Sequence, residues 1–291
     1  MQKQKYTKEI IMALTGFTLW TISDSCIRYL NSYPTILVAF FGAFFCVILL
    51  LVLSPFLGGL KATFTMPQLK LRIFRGAVLS CSSFLAFVAF SNIDLATAYA
   101  FIFAAPFISK ILSVLILKEN IRMRSWLISA LGFVGVLIVL RPGIITISIG
   151  AAAALGLAVF FSFGYVLTRY IKSENQTLLS MALFQYAFVA LFTAYPAYLT
   201  IQTTQSFNPD ILHTGIIIFY AFAVTFGSLF ASKAYADAPT SVIAPIQYVQ
   251  MLSGIILGAV LFAEYPDIWT LTGGGIIIAA GLLLIKFTRS V

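Results

Sequence analysis

The sequence predicts an all-α membrane protein with ten transmembrane helices in two inverted five-helix repeats, residues 1–145 and 146–291. Three observations predict it. Of 291 residues, 61% are hydrophobic and 9% charged, where a soluble domain is about half apolar and about a quarter charged. Ten apolar segments follow one another, each near the roughly 20 residues that a helix needs to cross a bilayer. Short residue patterns of the first five segments then recur, in order, in the last five. A soluble sphere of this size could neither hide so much apolar surface nor cover itself with so few charges. The composition therefore excludes a cytosolic enzyme, a nucleic-acid-binding domain and a disordered tail.

The segments are 10–30, 34–57, 72–92, 95–117, 124–140, 148–170, 177–200, 211–236, 239–263 and 267–287. Asn31 to Pro34 and Pro55 to Arg72 separate the first three, and Asp94 the next pair. Lys118 to Arg124, Arg141-Pro142-Gly143, Lys172 to Gln176 and Gln202 to Asp210 follow, then Asp237 to Pro239 and Glu264 to Asp267. The breaks at Asp94 and Asp237 are short enough to force antiparallel hairpins. The basic N-terminus, MQKQKYTKE, runs into an apolar stretch with no small-residue cleavage site, so a retained first helix is expected rather than a signal peptide. Cys26, Cys46 and Cys81 lie inside apolar segments, without metal or redox spacing, as small core residues.

A net charge of +9 would point to nucleic acid in a soluble protein. Here the basic residues sit in short loops, where they orient the chain. Fourteen of the 18 Lys and Arg fall on the side of the N-terminus; Arg28 and Arg141 fall opposite, and Lys110 and Lys233 lie within spans. Both termini are expected in the cytoplasm.

The repeat rests on ordered matches. Ala13-Leu14 and Arg28-Tyr29 recur as Ala154-Leu155 and Arg169-Tyr170; Asp94 and Thr97 recur as Asp237 and Thr240. Ser109-x-x-x-Ser113 with Glu119 recurs as Gly254-x-x-x-Gly258 with Glu264. Five helices are an odd number, so the second copy lies upside down, the architecture of alternating-access carriers. The two small-residue faces allow close helix approach, either inside the bundle or between two copies of the chain.

These residues carry a resemblance. Ala105-Pro106, Leu115 to Ile121, Trp126, Gly132 to Gly135 and Arg141-Pro142 match it in the first half. Asp237 to Thr240, Ala244-Pro245 and Phe262 to Glu264 match it in the second. Over its whole length the chain resembles the bacterial drug/metabolite transporter superfamily, in its EamA-type branch. Asp24 to Leu30, Val38 to Phe45 and Pro245 to Leu252 resemble the S-adenosylmethionine uptake carriers within it. Those carriers commonly have Arg where Gly42 stands, and an Arg and an acid where Gln247 and Gln250 stand. The resemblance implies a carrier in a bacterial inner membrane, with helices 1, 3, 4, 6, 8 and 9 around a central site.

Candidate site residues follow from the cost of polar groups in lipid, at least about 2.5–3.5 kcal/mol for a charge at mid-membrane. Asp24 is either a proton- or cation-responsive carboxylate or a structural partner of Arg28, one turn on. Lys110, four residues after Pro106, either meets an anionic substrate group or snorkels to the headgroups. Lys233 pairs with Asp237 or snorkels. Gln247, Gln250 and Met251 share one helical face, beside Tyr248, and buried amides must face protein or water. Trp20, Tyr99, Phe103 and Tyr165 are expected as aromatic walls, where a cation gains about 0.5–2 kcal/mol. Pro106 and Pro245 are expected to kink their helices and act as gates.

The chain lacks a GxxxxGK[ST] phosphate loop and has one histidine, His213. Asp24 is the only acid well inside a span, so no pair of carboxylates exists for an intramembrane protease. No enzymatic activity, cofactor, metal or nucleic-acid partner is expected. The expected partners are the bilayer and a small polar, amino-acid-like substrate, possible versions being S-adenosylmethionine, a broad range of exported drugs or metabolites, or organic acids held by Lys110. Proton or ion coupling, and monomer against homodimer, stay open, as does a non-transporting scaffold or sensor.

Overall fold

The computed structural model describes residues 6–140, 148–171, 176–203 and 209–288. The predicted positions Lys3, Lys5, Arg141 to Gly143, Lys172 and Arg289 lie outside them, as does the side chain of Lys286. The described residues form helices and turns with no strand: α1 (Thr7–Tyr29), α2 (Thr35–Val52), α3 (Leu60–Thr65), α4 (Leu69–Asn92), α5 (Leu95–Ile102), α6 (Ala105–Leu117) and α7 (Met123–Leu140). Then come α8 (Ile149–Ile171), α9 (Leu178–Thr203), α10 (Ile211–Asp237), α11 (Thr240–Ile243), α12 (Val249–Phe262) and α13 (Ile268–Thr288). Within these apolar runs only a helix satisfies every backbone group internally. Polar side chains start several of them: Ser148 accepts from Ala151 N, Asp210 from His213 N and Asp267 from Thr270 N.

Eight helical stretches are long and apolar enough to cross a membrane, and α7 and α13 are shorter apolar helices. Two of the eight are broken. Leu95–Leu117 splits into α5 and α6 just before Pro106, and Thr240–Phe262 is interrupted by a 3-10 turn, Ala244–Tyr248, that contains Pro245. Proline has no N–H to continue the ladder and its ring clashes with the preceding turn. One expectation is corrected here: Pro55 to Arg72 is not simply a connection but holds a 3-10 turn, Ser54–Leu57, and α3.

The main helix pairs join the two halves of the chain: α1 packs on α10, α4 on α8, α2 on α9 and α7 on α13. Glycines permit the closest approaches. A Cβ on Gly16 would stand 2.9 Å from Gly227 O, and one on Gly227 3.0 Å from Gly16 O. The α7–α13 pair meets in the same way at Gly135 and Gly273. Gly254 receives the ring of Tyr99, so this small-residue face packs inside the bundle.

Arg72 and Arg75, counted from sequence among the charges at the membrane edge, are instead fully buried on α4. Arg72 donates to Thr63 O and Met66 O, which ties α3 to α4. Arg75 donates to Thr168 Oγ1 on α8 and to Ser180 O and Met181 O on α9. The terminal nitrogens of Arg72 meet two carbonyls and those of Arg75 two carbonyls and a hydroxyl, with no acid at either, and each Nε is left without a hydrogen-bond partner.

Candidate functional site

A cavity lies between α1, α4, α5, α8, α9, α10 and the α11–α12 region. The space open to the centres of water molecules is about 70 Å³, enough for several waters at roughly 10–15 Å³ each. Six predicted residues line it: Trp20, Asp24, Tyr99, Tyr165, Gln247 and Gln250.

Asp24 is its only charged residue. Tyr99 Oη donates to Asp24 Oδ2 at 2.7 Å, joining α5 to α1. The expected alternative, a pair with Arg28, is not formed. Arg28 instead reaches Glu264 Oε1 through Nε at 2.7 Å and Asp94 Oδ1 through Nη2 at 3.0 Å. Asp24 therefore stands without a cationic partner among the described residues.

The walls are aromatic. Trp20 lies 5.6 Å from Phe161 and 5.8 Å from Tyr165, and those two rings lie 4.6 Å apart. Trp20 Nε1 donates to Ser228 Oγ at 3.2 Å, and Ser228 also bonds Tyr186 Oη at 2.6 Å, which fixes the indole edge. The amides of Gln247 and Gln250 also line the cavity, each with its Oε1 free of any hydrogen bond.

Four other predicted residues do not line the cavity. Met251 packs on Gly274 of α13, although Gln247, Gln250 and Met251 share a face in a continuous α-helix. Gln247 lies in the 3-10 turn and Gln250 and Met251 in the first turn of α12, so the change of pitch between them leaves both glutamines on the cavity and Met251 on α13. Tyr248 packs on Gly281 with its ring 5.4 Å from Phe103, and both face away with it. Lys110 takes neither of its expected positions: it is buried, and its Nζ donates to Ser125 O and Ser129 Oγ of α7. Pro106 and Pro245 stand at the two helix breaks. Lys233 pairs with Asp237 at 3.0 Å.

The sequence reading missed Phe161, Gln185, Tyr186, Tyr220 and Ser228, all in the lining. Gln185 carries the signal used for Gln247, an amide inside an apolar span, and it donates to Ser83 Oγ. The tyrosines carried none, being 2 of 13. Tyr220 fills the space over Gly42, where a Cβ would meet its ring at 2.8 Å.

At the two ends of the α5–α6 stretch stand matching arrangements. Lys118 and Ala263 both adopt left-handed backbone, with φ of 54° and 52°. The next residue in each case is a glutamate whose N–H returns to Ser113 O or Gly258 O. Glu264 accepts from Leu95 N, at the start of α5, and from Arg28. Glu119 accepts from Thr240 N, at the start of α11, and lies 4.0 Å from Arg169. A carboxylate at a helix start satisfies free N–H groups and meets the positive end of the helix dipole.

The EamA-like transporter family model matches residues 7–141 and 148–286. The chain is an EamA-like transporter. An S-adenosylmethionine uptake transporter of Rickettsia prowazekii is 26% identical over 96% of this chain and 93% of its own length. A pseudopaline exporter of Pseudomonas aeruginosa is 24% identical over 94% of each. A crystal structure with 15% identity superposes with a TM-score of 0.71 over 97% of this chain and 98% of that one, which shows the fold. This EamA-like transporter is thus a multi-span membrane protein of a transporter family, not an enzyme.

Proposed function

We propose that this protein is a ten-helix carrier that moves a small, polar, amino-acid-like metabolite across the bacterial inner membrane by alternating access, with both termini cytoplasmic. The two repeats are residues 1–145 and 146–291, and α7 and α13 are the fifth and tenth spans. The observation that carries this reading is the central cavity, walled by helices from both halves. Its polar groups lie beside two spans broken at Pro106 and Pro245, and discontinuous helices of this kind build the sites of inverted-repeat carriers.

The inverted repeat is supported by the packing. Exchanging the first five spans with the last five turns the α1–α10 pair into α8–α4 and returns α2–α9 and α7–α13 to themselves. Under the same exchange Arg28 and Glu264 become Arg169 and Glu119, and the helix start that each glutamate caps, at Leu95, becomes the one at Thr240. The first trio holds a 2.7 Å ion pair and the second a 4.0 Å one, as expected of a carrier closed more tightly at one end.

Trp20, Asp24, Tyr99, Tyr165, Gln247 and Gln250 are the proposed substrate contacts. Lys110 is bonded to α7, so organic acids held by that lysine are not favoured. S-adenosylmethionine is the named candidate, because a relative of matching length bears that name and the cavity offers aromatic faces, amides and one carboxylate. A space for several waters is too small for it, so binding must accompany opening.

A ligand screen on the detergent-purified protein tests this reading. The panel comprises S-adenosylmethionine, amino acids, nucleosides, quaternary amines and organic acids. A ligand present at 100 times its Kd stabilises the folded state by about 2.7 kcal/mol, a visible shift in Tm. A response confined to organic acids would overturn the proposed substrate class. The double change Gln247→Ala, Gln250→Ala should abolish transport in proteoliposomes with Tm unchanged; transport at the normal rate would remove the amides from the site.

A further inference from the structure

The cavity's charge balance carries a second step, which rests on the proposed function. Its lining holds one carboxylate and no Lys, Arg or His. The groups that face Asp24 are phenols, hydroxyls, a thiol and amides. These are Tyr99 on α5, Tyr165 on α8, Tyr186 on α9, Tyr220 on α10, and Cys26 on α1 itself. To them α4 adds Ser82 and Ser83, and the α11–α12 region adds Gln247 and Gln250. Nearby cations have partners elsewhere: Arg28 is held by Glu264 and Asp94, Arg72 and Arg75 by carbonyls and a hydroxyl, Arg169 by Ala236 O and Glu119, and Lys233 by Asp237. One hydrogen bond from Tyr99 does not neutralise a carboxylate, and an uncompensated charge in a membrane interior is costly.

We propose that Asp24 is held in turn by a proton and by an organic monocation, so that the carrier exchanges one for the other. In the empty cavity the carboxyl keeps its proton and crosses neutral. An arriving ammonium or sulfonium settles between the carboxylate and the faces of Trp20, Phe161 and Tyr165, where ring quadrupoles attract it. The O–H bond of Asp24 breaks, and the proton leaves to water on the side the cavity then faces. The loaded cavity is again neutral. One proton moves against each cation, and the amides of Gln247 and Gln250, whose Oε1 atoms lack partners, bind the polar remainder of the substrate.

Two pairs of probes that match in shape and differ in charge test this on the full chain: S-adenosylmethionine against S-adenosylhomocysteine, and choline against 3,3-dimethylbutanol. Affinity is followed by thermal stabilisation between pH 5 and 8, and proton release is read in weak buffer. The cationic member should bind at least tenfold more tightly and release one proton. Its affinity should fall as pH falls, by about tenfold per unit below the titration of the carboxyl, because proton and cation compete for one group. Asp24→Asn should erase both the preference and the pH dependence, while Asp24→Glu, which keeps the charge, should retain both. Equal, pH-independent binding of charged and uncharged members by the wild type would overturn the exchange and leave the carrier reading standing. Binding of the uncharged members alone would likewise overturn the exchange and leave the carrier reading standing, whereas stabilisation by organic acids alone would overturn both.

Discussion

Arg75 is the residue whose character changed most between sequence and structure. In the sequence it is one of several basic residues near a span boundary; in the fold it bridges three helices from full burial. Arg75→Ala removes the hydrogen bonds to Thr168, Ser180 and Met181 that join α4 to α8 and α9 and leaves a cavity, and should cost on the order of 3 kcal/mol, seen as a lower Tm in detergent. Arg75→Lys should rescue little, because one ammonium cannot span three acceptors as a planar fork does. Glu119 makes a second prediction at this scale. Burial holds its carboxyl above the ordinary glutamate range, with Arg169 opposing. Between the ordinary and the raised value the folded state binds more protons than the unfolded one, so the stability contributed by Glu119 falls as pH rises through that window. Glu119→Gln should flatten that slope in a plot of Tm against pH.

Helix contacts here depend on absent side chains. Gly16 and Gly227 let the backbones of α1 and α10 approach to the limit, and such close approach drives helix association where lipid removes the hydrophobic force. Gly16→Val should therefore separate the pair, lowering both Tm and transport. Gly215 on α10 has open space around it, so Gly215→Ala should be neutral or raise stability by up to about 1 kcal/mol through helix propensity. A comparable loss at Gly215 would show that spacing is not the cause. The 3-10 turn at Pro245 acts on the same scale: Gln247 and Gln250 line the cavity while Met251 packs on α13, so one break in the helix decides which side chains face the cavity.

Across the whole molecule, the two ends differ in how their arginine and glutamate meet. Glu264 is bonded to Arg28 and to the start of α5, which pins the α11–α12 region to α1 and α5. Glu264→Gln should loosen that end and speed labelling of a cysteine placed at Gln250 by an impermeant maleimide from the same side. The reciprocal pair Arg28→Glu with Glu264→Arg should slow it again. Unchanged labelling in Glu264→Gln would remove this contact from the gate.

Much of the architecture is legible in a run of apolar letters because lipid leaves the backbone one way to satisfy itself. Length, composition and breakers therefore locate the helices, and Pro106 and Pro245 announce the breaks. Trp20, Asp24, Tyr99, Tyr165, Gln247 and Gln250 were legible because polar or amphipathic groups in apolar spans need a reason to be there. The partner of Asp24 was not, since Arg28 is one turn away in sequence while Tyr99 comes from another helix. Lys110 could be placed only once α7 was seen to offer Ser125 and Ser129. Met251 needed the change of helical pitch, and Tyr186 and Tyr220 needed their neighbours. The sequence by itself determined an all-helical membrane chain with a polar interior, because local hydropathy acts along the chain. Only the tertiary structure decided which polar groups meet, because a side chain's electrostatic partners are set by helices that lie far apart in sequence.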